Sequence, residues 1–135
     1  MTEWLAASGY AERVILEFNM NRARHLHDEV LAAADALNAC GAAVGLDHVG
    51  IDDLDLTWLA RVGASYLKLD GGFADRLWSD PTQQDYVRSL VTLAHSLDAR
   101  LIAEHIQDPA SMQVLQRLRV DGVQGYAIAP PQSID

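Results

Sequence analysis

Short apolar runs alternate with longer amphipathic ones along this chain, and that alternation limits the fold more than any other feature. The short runs are RVILEF (Arg13 to Phe18), AAVGLD (Ala42 to Asp47), SYLKLD (Ser65 to Asp70), RLIAE (Arg100 to Glu104) and GVQGY (Gly122 to Tyr126). Between the first two, Leu26, Val30, Ala33, Ala34 and Leu37 recur at helical spacing. Gly41 follows where a helix takes a left-handed cap. Leu54 to Val62 predicts a short helix stopped by Gly63, and another short helix runs from Gly71-Gly72 to about Trp78. Gln83 to Leu97 is a long helical stretch, with Asp80 or Thr82 as its cap; Asp108-Pro109 opens the last helix, to about Arg119. Pro130-Pro131 and a polar end close the chain.

Strands alternating with helical crossovers imply parallel pairing, because a parallel neighbour needs a long connection. The expected fold class is therefore α/β, built of βα repeats, with parallel strands at about 13–18, 43–47, 65–69, 100–104 and 121–125. In 135 residues this makes one domain, with residues 1–12 as an N-terminal helical segment and 13–131 as the βα units.

Half the residues are hydrophobic and 21% are charged, the balance of a globular chain. No apolar run approaches the roughly 20 residues of a membrane span, and MTEWLAASGYAER lacks the pattern of a secretory signal. Cys40 stands alone, which fits a reducing, cytoplasmic setting. Nineteen acidic residues against ten basic ones give a formal charge of -9, which argues against duplex nucleic acid as a partner.

Parallel sheets bind ligands at the C-terminal ends of their strands. Those ends carry Glu17, Asp47, Lys68 with Asp70, Glu104 and Gln124. One carboxylate ending a strand reads as a turn or cap. Several on successive strands, with a lysine and an amide, converge on one rim. Their repulsion favours a shared cation, and hard oxygen donors suit Mg²⁺, Mn²⁺ or Ca²⁺. The lysine would pair with a phosphate or a developing negative charge. His25, His27 and His95 read as solvated or hydrogen-bonded, whereas His48 and His105 adjoin site carboxylates. Cys40 reads as structural, and Trp4, Trp58 and Trp78 read as packing residues.

Five motifs in order resemble the C-terminal part of the EAL domains, (β/α)8-barrel phosphodiesterases and receptors of cyclic di-GMP. LEFNM (Leu16 to Met20) is similar to the family's Glu-x-Thr-Glu strand. GLDHVGIDDLDLTWL (Gly45 to Leu59) is similar to its Asp-Asp-Phe-Gly loop and following helix. YLKLD (Tyr66 to Asp70), IAEHIQD (Ile102 to Asp108) and VQGYAIAPP (Val123 to Pro131) resemble Leu-Lys-Ile-Asp, Ala-Glu-Gly-Val-Glu-Thr and Gln-Gly-Tyr with its closing proline. The resemblance implies a partial barrel corresponding to about strands four through eight. It implies metal ligands at Glu17, Asp47 and Glu104, with His48 as a further candidate, and Mg²⁺ or Mn²⁺ as the cofactor. Catalytic roles fall on Lys68, Glu104 and Gln124, and ligand-binding roles on Lys68, Gln124 and Tyr126. In the family, two metal ions activate a water that opens the cyclic dinucleotide to linear pGpG.

The departures are specific. His48 stands where the family has its second Asp, and Met20 where it has a second Glu. Asp52 replaces a glycine, His105 replaces another, and Gln107 replaces a Glu. A full barrel takes roughly 250 residues, and the Glu-Ala-Leu and Asn-bearing strands lie before this chain begins. The expectation is a fragment of a longer protein or a half barrel, inactive as a phosphodiesterase. Three functions stay open: a non-catalytic cyclic di-GMP module, a phosphodiesterase whose other half barrel is elsewhere, and a dimerisation domain that has lost the ligand. As a half barrel, the chain is expected to leave its first and last strands (Arg13 to Phe18 and Gly122 to Tyr126) as edges. Leu16, Val44, Leu46, Leu67, Leu69, Ile102 or Val123, depending on register, would meet water on the inner face. Both features favour a homodimer or pairing with another domain of a longer chain.

Overall fold

Three of the helices begin on an aspartate whose side chain caps them. The computed structural model describes residues 15–23, 25–50, 55–69, 77–106, 108–125 and 128–133. Strand β1 (Ile15–Asn19) leads into α1 (Met20–Ala23) and α2 (His27–Ala39), then β2 (Ala43–Val49), α3 (Leu56–Val62) and β3 (Tyr66–Leu69). A single 3₁₀ turn (Leu77–Ser79) precedes α4 (Pro81–Ser96), β4 (Arg100–Glu104), α5 (Pro109–Arg117), β5 (Gly122–Gly125) and β6 (Ile128–Ser133). The Asp80 carboxylate accepts from the Thr82 and Gln83 N–H groups, and Asp108 accepts from Ser111 N–H. Each is followed by proline, which forgoes a donor that would be unsatisfied in the first turn. Asp55 caps α3 through Trp58 N–H, and Gly63 ends that helix with φ 65°.

The helical spacing that begins at Leu26 is realised in α2, which starts only at His27. The short helix predicted before Trp78 falls mostly outside the described residues, as do Asp70, Asp52, Gln107 and the segment 1–12.

Strand order in the sheet is β1-β2-β3-β4-β5-β6, the order of the chain, and the first four pairings are parallel. Successive crossovers that always step the same way put their helices on one face of the sheet, the winding of a (β/α) barrel. β5 and β6 pair antiparallel, with Gly122 opposite Ser133 and Gly125 opposite Ile128. From sequence, Pro130-Pro131 and a polar end simply close the chain after five strands. Proline lacks the N–H that an inner strand needs, but an outer strand tolerates it. β5 is therefore not an edge; among the described residues the edges are β1 and β6.

Side chains alternate across the sheet with period two. Val44, Leu46, Leu67, Leu69, Leu101, Ala103 and Val123 are buried with Leu31, Leu37, Leu59, Leu90 and Leu115 of the helices. This corrects the expectation for the inner face. Val44, Leu46, Leu67, Leu69 and Val123 lie in the helix-packed core, and Leu16 packs half-buried against it. Only Ile102 of that group alternates to the other face, where it is half-buried. The opposite face carries the polar residues, so its apolar cost in water is small and the case for dimerisation from that face falls away.

Candidate functional site

Cross-strand register gathers the strand-end residues. Glu17 lies opposite Gly45, and Gly45 opposite Tyr66; Asn19 lies opposite Asp47, and Glu104 opposite Gln124. Period-two alternation then sets Glu17, Asp47, Tyr66, Lys68, Glu104 and Gln124 on the face away from the helices. Five of these six were expected from sequence; Tyr66 was not.

Lys68 is the centre of the cluster. Its Nζ stands 2.5 Å from Glu17 Oε1 and 3.7 Å from Glu104 Oε1, with its side chain only 13% exposed. Burial alone would lower its pKa, but the hydrogen bond and charge of Glu17, helped by Glu104 and Asp47, carry it above the ordinary lysine value. Burial likewise pushes Glu17 up, and the bonds from Lys68 and Tyr66 with the Lys68 charge outweigh it, so Glu17 sits below the usual carboxylate range. Tyr66 Oη donates to Glu17 Oε1 at 2.7 Å, and burial and that bond hold the phenol well above its ordinary pKa.

Glu104 behaves oppositely. Burial first, then the facing Asp47 charge, raise its pKa, and Lys68 offsets this only in part. Two carboxylates are brought together here with too little positive charge between them. Beside them, Gln124 Oε1 is buried with no hydrogen-bond partner among the described residues. A buried acceptor left open calls for a water, an ion or a ligand.

The two histidines beside the site share an unusual backbone. His48 has φ 56° and His105 φ 61°. The left-handed region is uncommon for residues with a side chain, though histidine is among the more tolerant. At His48 this coincides with the register shift between Leu46 and Val49, a bulge that turns the end of β2. Asp47 Oδ1 accepts from His48 N–H at 2.8 Å, while His48 Nε2 stands 3.6 Å from Asp47 Oδ2. His105 N–H donates to the Gln124 carbonyl at 2.7 Å, tying the ends of β4 and β5 together. Tyr126 lies outside the described residues.

His95 bonds Asp121 at 2.8 Å, and His27 stacks on Trp58 with ring centroids 4.3 Å apart. Trp58 is buried, while Trp78 is largely exposed.

Among the described residues no group of three His, Cys, Asp or Glu side chains closes on one point. The donor set still fits one hard divalent ion. Mg²⁺ keeps several waters and takes one or two carboxylates, and Asp47, Glu104 and the open Gln124 oxygen offer that chemistry.

The EAL domain model matches residues 1–131. The chain belongs to the EAL domain family. One relative of this EAL chain is the bifunctional diguanylate cyclase/cyclic di-GMP phosphodiesterase MucR of Pseudomonas aeruginosa. It is 30% identical over 118 residues, which are 87% of this chain and 17% of MucR. The Xanthomonas citri FimX EAL domain, solved in complex with c-diGMP, is 28% identical with a TM-score of 0.81. That match covers 98% of this chain and 53% of the FimX chain. Klebsiella pneumoniae BlrP1, solved as a manganese/cy-diGMP complex, shares the fold: TM-score 0.82 at 22% identity, over 96% of this chain and 33% of BlrP1. The chain thus spans about half the FimX EAL domain chain and under a fifth of MucR. Among the described residues no helix is long and apolar enough to cross a membrane.

Proposed function

We propose that this chain is a cyclic di-GMP-binding EAL module that holds the dinucleotide without cleaving it. The observation that carries the reading is the convergence of Glu17, Asp47, Lys68, Glu104 and the open Gln124 oxygen on one face of the sheet. The Lys68 ammonium, raised above the ordinary lysine pKa, remains charged at neutral pH and pairs with a phosphate oxygen. Gln124 Oε1 accepts an N–H of the ligand or a bound water. Asp47 and Glu104 would hold Mg²⁺ or Mn²⁺, with His48 as a further candidate ligand. When bound, that ion neutralises phosphate charge and lowers the pKa of its water.

Two features support a module that binds but does not hydrolyse. His48 supplies a neutral nitrogen where an anionic oxygen would bridge two hard cations. Met20 is 1% exposed, so an apolar side chain fills the place of a second Glu. The FimX and MucR relatives support this choice of ligand: one was solved with c-diGMP and the other is named for its phosphodiesterase. Among the described residues β1 has no outer neighbour, and a strand from a longer chain or a second copy would fit there.

Titration calorimetry of the 135-residue chain with cyclic di-GMP, with and without Mn²⁺, tests the reading. Binding lost in Lys68→Ala and Gln124→Ala is expected. Formation of linear pGpG that Glu17→Ala abolishes would establish a phosphodiesterase instead. Absence of binding would favour the dimerisation domain, which light scattering detects as a mass of twice 14.8 kDa.

A further inference from the structure

Glu17, Gly45 and Tyr66 are successive cross-strand neighbours on three strands. A phenol on β3 reaches a carboxylate on β1 only by passing over whatever β2 presents between them. Here β2 presents Gly45. A Cβ built on Gly45 would overlap the Tyr66 ring carbons and hydroxyl, so the ring lies against the bare glycine backbone. The hydroxyl then donates to Glu17 Oε1 at 2.7 Å. The same oxygen receives Lys68 Nζ at 2.5 Å, and that ammonium lies 5.6 Å from the Tyr66 ring centroid. Two donors from β3 therefore close on one oxygen of Glu17, while Asp47 and Glu104 stand on the same face at the ends of β2 and β4.

We infer that Tyr66 is a positioning residue that commits Glu17 to Lys68 and withholds it from a divalent cation at Asp47 and Glu104. The cation then has two carboxylates instead of three, and the lysine stays between Glu17 and Glu104. Gly45 is the other half of the device, since any side chain there would push the ring away. The inference rests on the proposed cation site and deepens it. It also gives a third physical reason for binding without hydrolysis: the carboxylate that would complete the cation's shell is already bonded.

The test is a Mn²⁺ titration of the wild-type chain and Tyr66→Phe, followed by calorimetry and by loss of the free-ion paramagnetic resonance signal. The phenylalanine ring still covers Gly45, and equal thermal unfolding curves would verify that the fold is kept. Freeing Glu17 of one hydrogen bond should tighten Mn²⁺ binding roughly three- to tenfold, the worth of one such bond. In Tyr66→Phe/Glu17→Gln the gain should vanish, because it runs through that carboxylate. Unchanged or weaker Mn²⁺ binding in Tyr66→Phe, no Mn²⁺ binding by either protein, or a gain that survives Glu17→Gln would each overturn the inference. No dinucleotide enters this experiment. A failure of cyclic di-GMP binding would therefore register separately, in the calorimetry of the wild-type chain.

Discussion

The two faces of the sheet are made by the same strands and serve opposite ends. Toward the helices, Val44, Leu46, Leu101 and Val123 are buried among leucines, valines and alanines. On the other face the neighbouring positions hold Glu17, Asp47, Lys68, Glu104 and Gln124, with ion pairs and an open acceptor. The first face gains stability from removing apolar area from water. The second gathers carboxylates whose mutual repulsion is only partly answered by Lys68, a cost that a bound cation would offset. Because side chains alternate, neither face can be altered by a shift of register without destroying both.

Substitutions should therefore separate into those that unfold the chain and those that disarm it. The largest effect is expected at Leu46, fully buried on the helix side. Leu46→Ala should cost about 2–5 kcal/mol in chemical denaturation, with ligand affinity of the folded fraction unchanged. Lys68→Met acts on the other face. It should lower cyclic di-GMP affinity roughly ten- to hundredfold, the worth of a charge-assisted hydrogen bond, as read by calorimetry. Gly45→Val crosses the boundary between the classes. By displacing the Tyr66 ring it should cost about 1–3 kcal/mol and break the Tyr66–Glu17 bond, so both the denaturation midpoint and Mn²⁺ affinity should move.

The pH dependence should distinguish two carboxylates of one site. Glu17 has a depressed folded pKa, so its contribution to stability is present above the ordinary carboxylate pKa and is lost as pH falls through the depressed value. Glu104 has a raised folded pKa, so its contribution is present in acid and is lost as pH rises through the raised value. Denaturation midpoints across pH 3 to 7 should then show Glu17→Gln most damaging at the upper end and Glu104→Gln least damaging there. The same sign for both would mean that the Lys68-centred pairing is absent in solution. The smallest effect is expected at Trp78, largely exposed on its 3₁₀ turn. Trp78→Ser should change stability by less than about 0.5 kcal/mol.

Sequence by itself determined the features whose causes lie within a few residues. The caps at Asp80 and Asp108, the stop at Gly63, the five parallel strands and the rim residues Glu17, Asp47, Lys68, Glu104 and Gln124 were all legible there. Each follows from local spacing, from one residue's backbone preference, or from motifs carried in order along the chain. Tertiary structure alone decided what depends on pairing between distant segments. Which residues of each strand face the helices was decided by register, and it reversed the expectation for Val44, Leu46, Leu67, Leu69 and Val123. β6 required an outer position at which Pro130 and Pro131 need donate nothing. Asp121, at the start of the fifth predicted strand, joins His95 to the Leu101 N–H through one carboxylate oxygen. Tyr66 reads as a strand aromatic, and its hydroxyl meets Glu17, 49 residues earlier, because Gly45 on the intervening strand has no side chain to stop it. Such contacts are set by the alignment of three strands, which no window along the chain contains.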